Sequence, residues 1–172
     1  MKIHYRQAME WLYLACVVLS GTALVVITLI IPAGVFMRYV MNNPLAWPEP
    51  AAVIMMVMFS FLGGAAVYRA NVHIAVAALL DAVGEKTRRA MLWGVDACMS
   101  ATALFMLGYG VQLCLVTQYQ TMAEFPALSV AIVYAPIPVA GLLTLLFIIE
   151  KIWIGPPPRT SIMYSDQPAE LE

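Results

Sequence analysis

Charged residues are scarce in this chain of 172 residues. Asp, Glu, Lys and Arg together make up 11% of it, hydrophobic residues make up 63%, and the mean hydropathy is +0.85. About a quarter of the residues in a soluble domain are charged, because its surface must be hydrated. The shortage of charge excludes an ordinary soluble domain and leaves no basic surface for a nucleic acid. The composition indicates an integral membrane protein.

Histidine and cysteine are also scarce. His4 near the N-terminus and His73 between two apolar runs are not placed to face each other inside the membrane, as the ligands of a b-type haem must. Cys16, Cys98 and Cys114 lie inside apolar runs and lack the spacing of a disulfide or metal framework. No catalytic triad, phosphate loop or zinc motif occurs either. The sequence therefore predicts no catalytic, cofactor-binding or metal site, and no enzyme.

Four long apolar runs account for most of the sequence. The hydrocarbon core of a bilayer is about 30 Å thick and needs about 20 apolar residues for each helical crossing. A tryptophan lies near one end of each run, as expected for aromatic side chains at the membrane boundary. The sequence predicts an all-α integral membrane protein within residues 1–154, with four transmembrane helices at residues 12–37, 49–68, 91–116 and 126–149.

Basic residues are distributed unequally between the connecting segments. Eight of the nine Lys and Arg residues precede the first run, lie between the second and third, or follow the fourth, and only Arg38 lies in the first loop. Short loops rich in Lys and Arg stay in the cytoplasm. We therefore predict a multi-pass protein with both termini in the cytoplasm and a first helix that is not cleaved.

Two segments outside the runs have a distinct composition. Residues 70–83 place apolar side chains at helical spacing opposite a face that carries His73 and Asp81, which predicts a helix lying along the cytoplasmic interface. A cytoplasmic extension of the second helix is the alternative. Residues 155–172 begin with Gly-Pro-Pro-Pro and end in acidic residues, so we predict a disordered cytoplasmic tail.

Within the runs, one carboxylate and several small residues stand out. Asp96 is the only acidic residue well inside a run, and we expect it to be hydrated by lipid headgroups, paired with Arg69 or Arg89, or in contact with a partner protein. Small residues in the second and third runs permit close helix packing, either within this bundle or against another subunit. These residues are Ser60, Gly63, Gly64 and Ala66 in the second run and Ala97, Ser100 and Ala101 in the third.

The most specific pattern spans the first loop and the runs on either side of it. The loop reads Arg-Tyr-Val-Met-Asn-Asn-Pro-Leu-Ala-Trp-Pro-Glu from Arg38 to Glu49. The second run ends in Phe61, Leu62, Gly63, Gly64 and Ala65, followed by Arg69, Asn71, Val72, His73 and Ile74, and the last run contains Tyr134, Pro136, Ile137, Pro138 and Gly141. Over nearly the whole chain this combination resembles the small membrane subunit of tripartite ATP-independent periplasmic (TRAP) transporters, the DctQ-type permease family.

The resemblance implies a role that composition alone does not. In such transporters of the bacterial inner membrane, a large membrane subunit carries the substrate and sodium sites, and a periplasmic binding protein delivers an organic acid such as a carboxylate. The small subunit lies beside the large one as a non-catalytic scaffold. The implied partners are the large subunit, the binding protein and membrane lipids, and sodium coupling is expected in the large subunit.

The resemblance also singles out residues for a subunit interface or structural motif. They are Arg38, Tyr39, Asn42, Pro44, Trp47, Glu49, Gly63, Gly64, Arg69, His73 and Asp96. Arg38 and Glu49 either form a fixed structure that holds the first loop or are solvated separately. Trp47 is either a docking anchor or a residue of the interfacial aromatic belt. His73 is either a polar surface residue or part of a proton relay.

Two other functions remain open at this stage. A small transporter acting as a homodimer would place ionisable or unwound elements near the membrane midplane, and Pro32, Pro136 and Pro138 are the residues that can kink these helices. An anchor subunit of a membrane redox complex would hold a haem or a quinone. Copurification with native partners separates these alternatives from a TRAP subunit.

Overall fold

The structure, a computed structural model, describes residues 2–70 and 84–155 and consists of helices joined by short connections. The helices are α1 (Lys2–Tyr39), α2 (Pro48–Ala70), α3 (Glu85–Thr117), α4 (Val130–Tyr134) and α5 (Pro136–Trp153). The last two form a single apolar span of 24 residues, Val130–Trp153, interrupted at Ala135. Four helices are long and apolar enough to cross a membrane, which confirms the predicted all-α fold with four transmembrane helices.

The ends of the helices differ from the limits of the apolar runs. α1 and α3 begin before the predicted positions 12 and 91, because polar residues at a membrane surface can continue a helix that apolar residues carry through the bilayer. The fourth helix begins at Val130 instead of 126, because the preceding residues turn back and the Val130 amide donates to the Gln120 carbonyl. Most of the predicted interfacial helix, residues 71–83, and the tail at residues 156–172 lie outside the described residues.

α1 packs on α2 through a seam that runs along its length. The inward positions of α1 alternate in steps of four and three residues, which is the spacing of a left-handed coiled coil. Buried or half-buried residues at this spacing are Met9, Tyr13, Cys16, Ser20, Ala23, Ile27, Ile30, Gly34 and Met37. A Cβ added to Gly34 would lie 3.1 Å from the Pro48 Cβ, and one added to Gly63 would lie 3.6 Å from the Ser20 Cβ. Small residues therefore bring these two helices together.

The small residues of α2 do not form one continuous interface. Gly63 faces Ser20 of α1, whereas Gly64 is exposed and has open space around it. At Gly63, the predicted close helix packing is therefore between α1 and α2 of this chain. For Gly64, a contact with another subunit remains a prediction.

α3 packs on α5 through two glycines, one on each helix. A Cβ on Gly110 would lie 2.9 Å from Cδ of Pro138, and a Cβ on Gly141 would lie 2.9 Å from the Ala103 carbonyl oxygen and 3.0 Å from the Leu107 nitrogen. Backbone atoms cannot rotate away as a side chain can. Gly141 therefore sets how closely these two backbones approach.

Gly141→Ala should force α3 and α5 apart and lower the free energy of unfolding of the chain in detergent by about 1–3 kcal/mol. Gly108→Ala is the matched control, because a Cβ at Gly108 would have no neighbour within 4 Å. That control should be neutral or slightly stabilising, since alanine is the better helix former. Equal stability of the two variants in a chemical unfolding titration would show that the helices do not pack as described.

The four spans are arranged so that α5 lies at the centre. α5 packs against both α2 and α3, and α1 packs mainly on α2 and to a smaller extent on α5. Accordingly Ala140 and Phe147 of α5 are each only 1% exposed, while α1 and α3 expose long apolar faces. The N-terminal ends of α1 and α3 meet the C-terminal ends of α2 and α5, and we name this the charged end. The opposite end, where the α1–α2 loop lies, is the hairpin end.

Candidate functional site: a buried charge cluster joining the helices

At the charged end, four ionisable side chains and a tyrosine from three helices form one network. We name it the charge cluster, and it consists of Tyr68, Arg69, Asp96, Glu150 and Lys151. Arg69 and Glu150 are buried, at 5% and 2% exposure. Charged side chains inside a membrane span are costly unless they are paired, so the pairing within this cluster determines what it can do.

Arg69 of α2 and Glu150 of α5 form a bidentate ion pair. The Arg69 Nε donates to one carboxylate oxygen at 2.8 Å, and Nη2 donates to the other at 2.9 Å. Two parallel bonds fix the planes of both groups as well as their separation. The pair therefore holds the C-terminal ends of α2 and α5 in one register.

Two aromatic rings, one from α1 and one from α5, lie beside the Arg69 guanidinium. Its Cζ lies 5.5 Å from the ring centroid of Tyr13 on α1 and 5.5 Å from that of Phe147 on α5. A guanidinium is attracted to the face of an aromatic ring, and more strongly where water is excluded. The remaining nitrogen, Nη1, is buried without a hydrogen-bond partner among the described residues, so the rings and Glu150 provide its stabilisation.

A second ion pair lies beside the first. Lys151 Nζ donates to Asp96 Oδ1 at 2.6 Å, and the Tyr68 hydroxyl donates to the same oxygen at 3.0 Å. The Lys151 ammonium also lies 5.7 Å from the Tyr68 ring centroid. This pair links α3 to α5 and α2, but the Lys151 side chain is 31% exposed, so water screens it more than the Arg69–Glu150 pair.

The two pairs arise from two dipeptides at helix ends. Adjacent residues on a helix point about 100° apart, since one turn takes 3.6 residues. Tyr68 can therefore reach Asp96 of α3 while Arg69 reaches Glu150 of α5, and Lys151 reaches α3 while Glu150 reaches α2. Arg69 is also favourable at the C-terminal end of α2, where the helix dipole attracts a cation.

The expected partner of Asp96 was only partly right. Asp96 is paired, but with Lys151 and Tyr68, and the pairing with Arg69 was wrong because that guanidinium points to Glu150 and binds its carboxylate through Nε and Nη2. Glu150 and Lys151 were missed, since they follow the last apolar run and look like ordinary boundary residues. The sequence did contain a signal for this cluster. Glu150 and Lys151 follow the fourth run, and Tyr68 and Arg69 end the second run on the same predicted side of the membrane.

The charge cluster suits a structural role better than transport chemistry. Two cations and two carboxylates cancel, so the cluster presents no net charge to a passing ion. It lies at one end of the helices, whereas secondary transporters bind substrate near the midplane. What the arrangement can do is hold α2, α3 and α5 together, with α1 packed on the Arg69 side.

α1 is tied to this end by its first turns. The Tyr5 hydroxyl donates to the Leu146 carbonyl at 3.3 Å, and the Tyr5 ring packs edge-on against Trp153 with centroids 6.3 Å apart. These contacts explain why α1 is ordered well before the first apolar run. His4 is exposed at the same end, and His73 lies outside the described residues, so the choice between a surface role and a proton relay for His73 stays open as predicted.

At the hairpin end, Arg38 and Glu49 form an ion pair, which corresponds to the first of the two alternatives considered for them. The Arg38 Nη2 lies 2.9 Å from Glu49 Oε1, with side-chain exposures of 47% and 74%. An ion pair this exposed contributes about 0–1 kcal/mol to stability. It connects the end of α1 to the first turn of α2, where the helix dipole favours Glu49.

Other residues of the loop motif shape the turn. Asn42 has a φ of 48°, a left-handed conformation that asparagine tolerates better than most residues. It lies in the turn that follows the last residue of α1, Tyr39. Asn43 N–H donates to the Met37 carbonyl at 3.0 Å. Tyr39 and Pro44 are exposed, and Trp47 is 44% exposed. The structure thus brings the motif together as one hairpin with an exposed aromatic side chain.

The cavities found near these residues do not resemble an enclosed substrate site. One at the hairpin end, between Gly34, Arg38, Pro48 and Glu49, has a volume of about 70 Å³, whereas small-molecule sites usually measure about 300–1,000 Å³. Another, of about 540 Å³, is an open groove on the first turns of α3 beside Arg89. Within residues 2–70 and 84–155, no three His, Cys, Asp or Glu side chains are grouped to hold a metal ion.

The comparison with known families decides the assignment. A model of the DctQ component of tripartite ATP-independent periplasmic transporters matches residues 27–155. The chain belongs to the DctQ family. The match covers more than half of the chain and includes both the hairpin motif and the whole charge cluster, so the resemblance seen in the sequence is confirmed. No curated protein matches the sequence.

Membership of the DctQ family gives the four helices a setting. The chain is a multi-pass membrane protein and a component of a TRAP transporter. The exposed apolar faces of α1 and α3 then belong to a subunit whose surroundings are lipid and other transporter components. Both ion pairs of the charge cluster form between helices of this chain, one between α2 and α5 and the other between α3 and α5.

Proposed function

We propose that this DctQ-family chain is a non-catalytic scaffold of a TRAP transporter that takes up an organic acid. In this role it lies beside a large membrane subunit that carries the substrate and the coupling ion, while a periplasmic binding protein delivers the substrate. The observation that supports the proposal is the charge cluster. Three ion pairs among the described residues, Arg38–Glu49, Arg69–Glu150 and Lys151–Asp96, lie at the ends of the helices, and such pairs brace a subunit without forming an ion path.

We further propose that the charged end faces the cytoplasm and the hairpin end faces the periplasm of the inner membrane. Exposed basic residues at the charged end, Lys86 among them, support this orientation, whereas Arg38 is the basic residue of the hairpin. In this orientation the Arg38–Glu49 hairpin lies on the side from which the binding protein delivers its substrate.

Single cysteines introduced at Asn42 and Glu124, in a background without the three native cysteines, should react with a membrane-impermeant thiol reagent in intact cells. A cysteine at Lys86 should react only after the cells are opened. All three positions are exposed, so accessibility on the protein surface does not distinguish them. Labelling at position 86 but not at 42 in intact cells would reverse the proposed orientation.

Copurification tests the proposed partnership. The tagged chain, extracted from native membranes in mild detergent, should bring down one much larger membrane protein in a fixed ratio. Trp47→Ala should reduce that yield, because an aromatic anchor contributes about 2 kcal/mol or more at an interface, and Tyr119→Ala is a control with another exposed interfacial aromatic at the same end. Recovery of the chain only as a homodimer would favour an independent transporter, and a copurifying haem or quinone would favour a redox anchor.

A further inference from the structure

Pro32, which lies inside α1 seven residues before its end at Tyr39, leaves one backbone carbonyl without its usual donor. Pro32 has no N–H, so the Thr28 carbonyl cannot receive the bond that residue i+4 provides elsewhere in a helix. The Thr28 hydroxyl is already used, because it donates to the Leu24 carbonyl at 2.8 Å. The Thr28 carbonyl therefore lacks the i+4 donor that the other carbonyls of a helix interior have, and its own side chain does not replace that donor.

This acceptor lies deep in the membrane. From Trp11 to Tyr39, α1 extends about 42 Å at 1.5 Å per residue, which matches a bilayer with its interfaces. Thr28 lies three residues past the midpoint, or about 4.5 Å from it. Water does not reach this depth at a lipid-facing surface, and an unsatisfied backbone group there costs several kcal/mol.

The surface around the carbonyl is not covered by residues 2–70 or 84–155 of this chain. Thr28 and Pro32 are exposed, and the neighbouring side chains of Val25, Leu29 and Phe36 are 58%, 67% and 53% exposed. We name these five residues the Pro32 face. It lies away from the seam that α1 forms with α2, so a second helix can approach it without displacing that contact.

We propose that the Pro32 face is the docking surface for a transmembrane helix of the large subunit, and that this helix donates a hydrogen bond to the Thr28 carbonyl. The inference rests on the proposed function for the existence of that partner. A lipid acyl chain has no donor, whereas a serine, threonine, asparagine or glutamine on a facing helix has one at the required depth. The apolar residues around the carbonyl then pack against the same helix.

The other prolines of the described helices do not create the same requirement. Pro136 and Pro138 lie in the first turn of α5, near the hairpin end, where the membrane interface is close and helix carbonyls can meet water or headgroups. Pro48 and Pro50 begin α2, where an amide donor is not required. Within the described residues, Pro32 is the proline that lies inside a long helix beyond its first turn.

The first test identifies what covers the Pro32 face. The photoreactive residue p-benzoylphenylalanine is placed at Leu29 and, as the control, at Leu104 of α3, which is 59% exposed. Both forms are irradiated in cells that also make the large subunit and the binding protein. The Leu29 form should give an adduct with the large subunit, at a yield well above that of the Leu104 form. A Leu29 adduct with lipid or with a second copy of this chain would overturn the proposal.

The second test isolates the hydrogen bond. Pro32→Ala restores an N–H that can satisfy the Thr28 carbonyl within α1. The chain alone should then unfold at the same or a higher midpoint, while its affinity for the large subunit should fall roughly three- to tenfold. An unchanged affinity would show that no partner donor uses the carbonyl.

The two proposals fail in different ways. If the large subunit copurifies but Leu29 labels only lipid, the chain is a TRAP subunit that docks through another face. If no large subunit copurifies and Leu29 labels lipid, both the partnership and this docking surface are wrong.

Discussion

Arg69→Met should lower the free energy of unfolding of the isolated chain by about 3–5 kcal/mol. The substitution removes the guanidinium but leaves the Glu150 carboxylate buried at 2% exposure without its two donors. Breaking a buried ion pair from one side costs this much because the remaining charge is neither hydrated nor paired. Unfolding of the purified chain in mixed micelles, followed by circular dichroism, measures the change.

The double variant Arg69→Met with Glu150→Leu is the matched control. It removes both charges and replaces them with apolar side chains, which is often neutral or even stabilising for a buried pair. The double variant should therefore recover most of the loss seen in the single one. If Arg69→Met alone is as stable as the unmodified chain, the ion pair does not hold α2 and α5 together.

Asp96→Asn separates the two pairs of the charge cluster. The asparagine oxygen can still accept from Lys151 and Tyr68, and Lys151 retains partial contact with water, so a loss of only about 1 kcal/mol is expected. Assembly and uptake should remain largely intact. Loss of uptake in a complex that still assembles would make Asp96 part of a coupling path and would contradict the scaffold role.

The number of membrane spans follows directly from the sequence, because each crossing needs a long uninterrupted apolar run and few alternatives satisfy that length. The seam of α1 does not follow in the same way. Lipid-facing residues such as Val25 and Leu29 are as apolar as buried ones, so hydrophobic periodicity disappears inside the membrane. The small residues Ser20, Ala23 and Gly34 mark the side of α1 that packs on α2. Their spacing can be recognised as an interface only when the position of α2 is known.

The charge cluster was harder to predict for a related reason. Lys151 and Glu150 fall where basic and acidic residues commonly mark the membrane surface, and the sequence does not say which helix faces which. The pairing depends on α5 lying between α2 and α3, an arrangement set by close packing at Gly110 and Gly141. The contact between Arg38 and Glu49 was easier to predict from the sequence, because one short loop separates them and brings the ends of two helices together.

Under the proposed scaffold role, the arrangement explains how this subunit would contribute to transport without binding the substrate. The charge cluster fixes the helices at one end, and the Arg38–Glu49 hairpin joins α1 and α2 at the other. In the proposed scaffold role, such a unit keeps one surface in place against its partner. This role needs helices that are held together and an exposed apolar face, and the structure has ion pairs between helices and exposed apolar residues.

Uptake with and without this chain tests the scaffold role most directly. The large subunit is reconstituted into liposomes either alone or together with this chain, and in both cases the binding protein, a radiolabelled carboxylate that it binds, and an inward sodium gradient are supplied. Uptake should occur only when the chain is present, and the chain without the large subunit should transport nothing. Full uptake by the large subunit without this chain, or uptake by this chain alone, would contradict the proposal.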